Sequence, residues 1–259
     1  MKKTALVTGA SSGIGKELAR IHAKNGGDLV IVARSEQKLI DLANELSTQY
    51  GTQTHIIVQD LTNLESAKQI FEEVTSAGIT IEYLINNAGF GGRGFFHERN
   101  WEDDLAMINL NVTMLTALTR YFLPSMVTRN SGRILNVSST ASLLPGPLQA
   151  VYFATKAYVT SFSNAISQEL SDTNITVTAL LPGATETDFA KVSGMDKTSL
   201  FEKTFSAEEV AKRGYEGMIA GELDVLAGLT FAQKISLKSI PFVPKKILMK
   251  QIFEMQKLN

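Results

Sequence analysis

The chain has 259 residues, 44% of them hydrophobic, a formal net charge of −1 and no cysteine. So even a charge balance excludes a nucleic-acid binder held by bulk positive charge, and the length and apolar content suffice for one large domain with a substantial core. The missing thiols exclude disulfides, thiolate metal sites and cysteine nucleophiles, and they suit a reducing compartment.

Residues 4–8 (TALVT) read as a buried strand stopped by Gly9. The run is too short for a signal-peptide core, and no stretch approaches the roughly 18 apolar residues of a membrane span, so a cytoplasmic protein is expected. Gly9-Ala-Ser-Ser-Gly13-Ile-Gly15 follows, then a helical pattern with Ile14, Leu18, Ile21 and His22 on one side. Strand, glycine turn and helix form the context of a phosphate-binding turn. Glycines let a ligand approach the backbone, and the helix N-terminus offers N–H groups and partial positive charge to a pyrophosphate. The spacing is Gly-x-x-x-Gly-x-Gly, not the commoner Gly-x-Gly-x-x-Gly, and a purely structural βα turn is the competing reading.

Residues 28–33 (DLVIVA) form the second strand and run into Arg34. An acid at this place accepts from the 2′-hydroxyl of NAD, whereas an arginine pairs with the 2′-phosphate of NADP. With no acid before Glu36, the cofactor reading is NADP(H) ahead of NAD(H), against a solvated arginine opening the helix of residues 35–49. Residues 54–59 are strand three and end at Asp60, which serves a ligand or caps the helix of residues 63–77 in competition with Thr62. Residues 82–86 (EYLIN) are strand four and lead into Asn86-Asn87-Ala88-Gly89. This alternation predicts an α/β fold, a single Rossmann-type doubly wound parallel sheet of about seven strands with helices on both faces. Ligands then sit beyond the carboxyl ends of the strands. Gly9–Gly15, Arg34, Asp60 and Asn86–Gly89 all follow strand ends, so they converge on one site.

The stretch Phe90-Gly-Gly-Arg-Gly-Phe-Phe96 lines a pocket or fills space beneath a loop. A long helical region over 101–129 carries Asn109 and Asn111. Residues 133–138 form strand five and deliver Ser138-Ser139 to the same sheet edge. Pro145-Gly146-Pro147 leads into a helix that carries Tyr152 and Lys156 on one face and runs to about residue 171. A cation beside a phenol lowers its pKa. Half-ionisation near pH 7 requires roughly 4 kcal/mol from an ordinary value near 10, more than a hydrated lysine alone supplies.

Residues 175–181 are strand six, ending in Pro182-Gly183-Ala184-Thr185-Glu186-Thr187. Residues 188–205 lack periodicity, and the span 186–205 is expected to be a flexible substrate-binding loop. Ser206 and Glu209 read as a capping box opening a helix over 206–220, and 222–227 is the last strand. Residues 229–259 form a basic C-terminal extension with six lysines and one glutamate. Ile247, Leu248, Ile252, Met255 and Leu258 recur there at helical spacing, as in a helix that packs on the core or on another copy with its lysines solvated, or one that meets an anionic membrane or an acidic carrier protein. His22, His55 and His97 are too scattered for a ligand set, and no metal is expected.

With these residues assembled, the sequence resembles the short-chain dehydrogenase/reductase family in its common single-domain form, over residues 4 to about 190. The ordered set carries the resemblance: Thr8-Gly9-x-x-x-Gly13-Ile14-Gly15, Asp60, Asn86-Asn87-Ala88-Gly89, Asn111, Ser139, Tyr152-x-x-x-Lys156 and Pro182-Gly183. Ser139 lies thirteen residues before Tyr152, the family's usual distance. The resemblance implies that Tyr152 exchanges the substrate proton, Lys156 lowers its pKa and binds the nicotinamide ribose, Ser139 holds the substrate oxygen, and Asn111 orders a relay water. It implies a cofactor site built from Gly9, Ser11, Ser12, Gly13, Ile14, Gly15, Arg34, Asp60, Leu61, Asn87, Ala88, Gly89, Tyr152, Lys156, Pro182, Gly183, Thr185 and Thr187. Thr187 matches the threonine at the nicotinamide carboxamide. Arg34 matches the arginine of NADP-preferring members, some of which carry a second basic residue where this chain has Ser12.

The expected function is therefore an NADP(H)-dependent interconversion of a small-molecule carbonyl and an alcohol. The protein would be a dimer or tetramer joined through the helices that carry Asn111 and Tyr152. A cofactor-binding regulator without turnover is the alternative. Phe90, Phe95, Phe96, Leu143, Leu144, Phe153, Phe189 and Phe201 lie where they could wall a pocket, which favours an apolar substrate such as an acyl, aliphatic or steroid-like carbonyl.

Overall fold

An apolar run of five or six residues with no polar alternation has to be covered on both sides, and in this chain each such run becomes a strand of one parallel sheet. The computed structural model describes residues 2–196, 198, 201 and 203–257, with the side chains of Lys238 and Pro241 left aside. Seven strands, β1 (Thr4–Thr8), β2 (Asp28–Ala33), β3 (Thr54–Val58), β4 (Ile81–Asn86), β5 (Gly132–Val137), β6 (Ile175–Pro182) and β9 (Asp224–Ala227), pair in the order β3-β2-β1-β4-β5-β6-β9. All six pairings are parallel. The two-residue strands β7 (Thr185–Glu186) and β8 (Phe205–Ser206) pair separately.

Alternation along each strand supplies two core layers. Ala5, Val7, Leu29, Ile31, Ile85 and Leu135 point to one face, where α1 (Gly13–Lys24), α2 (Glu36–Tyr50) and α8 (Ala207–Ala220) cover them. Leu6, Val30, Val32, Leu84 and Ile134 point to the other, against α3 (Ser66–Ser76), α5 (Leu115–Arg129) and α6 (Ala150–Glu169). Burying each such side chain contributes roughly 1.5–3 kcal/mol. The chain winds outward in both directions from β1, so the crevice between the β1 and β4 ends is the switch point where ligands enter such sheets. The loops that carry the expected site residues all leave the sheet at this edge.

Local chemistry sets several boundaries. Ser206 Oγ accepts from the Glu209 N–H and the Glu209 carboxylate returns to Ser206 N–H, completing the expected capping box on α8. The expected cap on α3 is not there. Asp60 Oδ1 instead accepts from the backbone N–H and the hydroxyl of Thr62 in a local turn, and α3 starts later, after Glu65. The expected helical region over 101–129 is continuous, built of α4 (Trp101–Ile108), a π-helical turn over Asn109–Met114, and α5. His22 has a structural place: its ring is buried, with Nε2 on the Lys3 carbonyl and Nδ1 on the Tyr215 hydroxyl. Burial lowers its pKa, against the opposing pull of the Lys3 carbonyl.

The span 186–205 contains a short helix, α7 (Phe189–Ser193). Residues 197, 199, 200 and 202 of that loop, and Leu258 of the C-terminal stripe, lie outside the described residues. The extension forms α9 (Phe231–Ser239) and α10 (Lys245–Met255). Leu248 and Ile252 turn inward from α10, whereas Ile247 and Met255, expected on the same stripe, are about half exposed.

Candidate active site

The glycine turn is a braced structure. Gly9 and Gly13 have φ of 67° and 53°, a conformation that strains other residues. Thr8 Oγ1 accepts from the N–H groups of Asn87 and Ala88, each at 3.0 Å. Asn87, expected at the cofactor, donates its amide to the carbonyls of Thr8 (2.9 Å) and Gly9 (3.3 Å), so its side chain positions the turn itself. Leu61 likewise faces the core, and Thr185 Oγ1 is bonded to the Gly183 carbonyl. The Thr187 methyl lies against Gly13 of the glycine turn.

Three observations test whether a dinucleotide fits. Ser12 is the N-cap of α1 but makes no capping bond, and the first turn holds no acid, so the positive end of the helix is left open to an anion. Ser11 and Ile14 flank it, half-buried. Arg34 is exposed, makes no hydrogen bond or ion pair among the described residues, and helps lower the pKa of neighbouring Asp60. Lys156 is a buried ammonium, 5% exposed, whose acceptor among the described residues is the Val137 carbonyl at 2.8 Å. A buried ammonium with unused donors is costly unless a ligand satisfies them. The residues fit a phosphorylated dinucleotide.

The residues expected to react meet at the N-terminal half of α6. Ser139 caps a 3₁₀ turn over Thr140–Leu143 by accepting from Ala141 N–H at 3.1 Å, and its hydroxyl is near enough to the Tyr152 phenol to lower its pKa. Lys156 Nζ stands 6.0 Å from the centre of the Tyr152 ring. Asn111, in the π-helical turn, brackets Phe90: Oδ1 accepts from its N–H at 3.1 Å and Nδ2 donates to its carbonyl at 2.9 Å. Nδ2 also reaches Thr155 Oγ1 at 3.1 Å, which in turn donates to the Tyr152 carbonyl. π-turns recur at functional sites, and this one aims Asn111 at the loop beside α6.

Electrostatics in the free protein runs opposite to the expectation for Tyr152. Burial pushes its phenol up to about 12, and the Ser139 hydroxyl only partly offsets this. Burial also pulls Lys156 down to about 8. Lys156 does not lower the phenol here because its ammonium is directed at Val137, and desolvation outweighs Ser139. At neutral pH the phenol is therefore a proton donor and Lys156 is still charged.

Residues 3–198 match the family described as short chain dehydrogenase. The chain belongs to the short-chain dehydrogenase/reductase family of oxidoreductases. A very-long-chain 3-oxoacyl-CoA reductase of Anas platyrhynchos is 35% identical over 195 residues, covering 73% of this chain and 62% of that protein. The chain thus spans about three-fifths of that relative's length. A short-chain dehydrogenase from Sphingobium yanoikuyae in complex with NADPH superimposes with a TM-score of 0.83 at 32% identity, over 96% of this chain and 95% of that one. The bulky-bulky ketone specific alcohol dehydrogenase of Comamonas testosteroni does so with 0.78 at 30% identity, over 96% and 94%.

Within this family member, the wall of the site is apolar. Phe90, Leu144, Phe153 and Phe189 cluster with Met107, Ala141 and Tyr152, the Phe189 ring lying 5.3 Å from that of Tyr152. Phe201 stacks on Phe189. Phe95, Phe96 and Leu143, expected in the same wall, are instead exposed, because their loops turn outward at the sheet edge. Phe95 meets Phe253 of α10.

Sequence reasoning missed a second layer. Gln149, the N-cap of α6, donates to Gln256 Oε1 at 3.1 Å and touches Met195, while Arg93 Nε donates to the Gln256 carbonyl at 2.7 Å. Gln149 and Gln256 are both buried. They are 107 residues apart, and no local signal links them. Thr155 was detectable only as a hydroxyl inside the Tyr152–Lys156 turn.

Proposed function

We propose that the chain is an NADP(H)-dependent oxidoreductase that interconverts an apolar carbonyl and its alcohol, with Tyr152 as general acid and base. The observation that carries this reading is the pair of buried residues Tyr152 and Lys156, with half-buried Ser139, beside an uncapped glycine turn at one sheet edge. NADPH, when bound, supplies the hydride, and NADP⁺ accepts it in the reverse direction. The chain's own part is to hold and polarise. Negative charge builds on the carbonyl oxygen during reduction, and hydrogen bonds from Ser139 and Tyr152 stabilise it where it develops. Tyr152 then gives its proton, or takes one in oxidation. The Lys156 ammonium, with no ion pair to a carboxylate among the described residues, has donors left for ribose hydroxyls, and its charge would then favour the phenolate.

Arg34 supports the NADP(H) preference, as does the NADPH in the Sphingobium yanoikuyae structure. The aromatic wall supports an acyl, aliphatic or steroid-like substrate, in keeping with the bulky ketone and 3-oxoacyl relatives. The same reading includes a homo-oligomer through the Asn111 and Tyr152 helices. On their outer faces Thr116 bonds Tyr158, which stacks on Phe162.

The test is a carbonyl panel assayed by NADPH and NADH oxidation with the unmodified chain and with Tyr152→Phe. The variant is expected to lose at least ~100-fold in kcat while its NADPH Kd is unchanged. Turnover surviving within about tenfold sinks the mechanism, and a higher kcat/KM with NADH sinks the role of Arg34. Binding of NADPH with no turnover on any carbonyl would favour the regulatory alternative.

A further inference from the structure

The C-terminal extension shows solvent what a protein surface ordinarily covers. Phe231 is 79% exposed and Phe242 87%, and Ile235 and Ile247 are each 54% exposed. Single exposed apolar residues are commonplace, but four large ones between residues 231 and 247, two of them nearly bare phenylalanines, are not. Lysines stand among them. Lys234, Lys245, Lys246 and Lys250 are exposed, and none makes a hydrogen bond or ion pair through its side chain among the described residues. The extension's one carboxylate side chain, Glu254, is already paired with Lys257 at 2.9 Å.

The inner side of α10 is accounted for. Leu248, Ile252 and Gln256, four residues apart in turn, face the body of the protein. The outer side mixes Lys245, Lys246, Ile247, Met249 and Lys250. Apolar side chains projecting between unpaired cations are the composition of an interfacial segment, in which rings enter the acyl boundary and ammonium groups lie at phosphates.

We propose that the outer surface of residues 231–250 docks on an anionic lipid bilayer. Two other occupants fit less well. A second copy bound through the same face would set its four unpaired lysines against four identical ones, since a two-fold interface is self-complementary. An acidic protein would satisfy the lysines but leaves the phenylalanines without a pocket, because they project from the surface instead of lining a groove. The docking face adjoins the mouth of the site: Arg93 and Phe95, on the loop that follows β4, hold Gln256 and Phe253. The proposal does not depend on the carbonyl reading.

The experiment is co-sedimentation of the full chain with vesicles of phosphatidylcholine alone and of phosphatidylcholine mixed with phosphatidylglycerol. Binding is expected to be at least ~tenfold stronger to the anionic vesicles and to weaken as salt rises. The double variant Phe231→Ser/Phe242→Ser is expected to lose this binding while keeping its melting temperature and solution activity. Lys245→Glu/Lys246→Glu should erase the preference for anionic lipid. No binding to anionic vesicles overturns the proposal, and so does binding that the double phenylalanine variant retains. Light scattering that shows a smaller oligomer for the phenylalanine variant than for the unmodified chain overturns it in favour of a second copy. Retention on an acidic protein column without vesicle binding overturns it in favour of a protein partner.

Discussion

Lys156, the lysine of the proposed mechanism, works against the stability of its own fold. Its pKa falls from an ordinary 10.5 to about 8 in the folded protein because burial disfavours the ammonium. Between about pH 8 and 10.5 the unfolded chain therefore holds the extra proton. Stability rises with pH across that window, and below about pH 8 the full penalty is present. Lys156→Met is expected to stabilise the cofactor-free protein at pH 7, by up to ~3 kcal/mol, and to abolish turnover. Denaturant melts of both chains from pH 7 to 10 check this, since the gap between them should close as pH rises. A variant no more stable than the unmodified chain at pH 7 would contradict the assigned burial cost. Tyr152 has the opposite sign: its phenol, held up to about 12, loses stability for the fold as pH climbs from 10 toward 12. The pairing of Tyr152 with Lys156 was legible from their four-residue spacing. The direction of the phenol's pKa was not, because desolvation depends on Phe153 and Phe189, which the tertiary fold brings to its ring.

At the scale of elements, hydrophobic runs and cap chemistry were the most legible features. α8 begins where Ser206 and Glu209 indicate, since both halves of a capping box lie within one turn. Ser206→Ala should cost about 1 kcal/mol and leave kcat unchanged. Thermal melts alongside NADPH turnover measure both, and an unchanged melting temperature would mean the cap contributes nothing. Asp60 was harder to assign, because an aspartate before a helix serves equally well as a cap or as a local turn, and here Thr62 lies within reach of its carboxylate. The π-turn that presents Asn111 was illegible. Its residues have ordinary helical propensity, and the wider register is matched by contacts to Phe90 and Thr155 from other elements.

At the scale of the whole molecule, the sheet's apolar core and the extension are distinct. The three buried apolar clusters contain no residue beyond Ala227. Deleting residues 231–259 should leave a cooperatively melting sheet, while the loss of the Gln149–Gln256 and Arg93–Gln256 contacts raises KM for carbonyl substrates about tenfold, or ~1.4 kcal/mol. Calorimetry and steady-state kinetics on the truncated chain give both readouts, and a chain that no longer folds would show that the extension belongs to the core. The parallel sheet, its strand ends and the grouping of Gly9–Gly15, Arg34, Asn111, Ser139, Tyr152 and Lys156 were determined by the sequence itself, because periodicity, turn residues and short-range spacing are local properties. The tertiary structure alone decided which aromatic residues wall the site, that Asn87 braces the glycine turn, and that Gln256 closes over Gln149. Those outcomes rest on contacts between segments tens to a hundred residues apart, which come about only when the packed sheet sets the loops side by side.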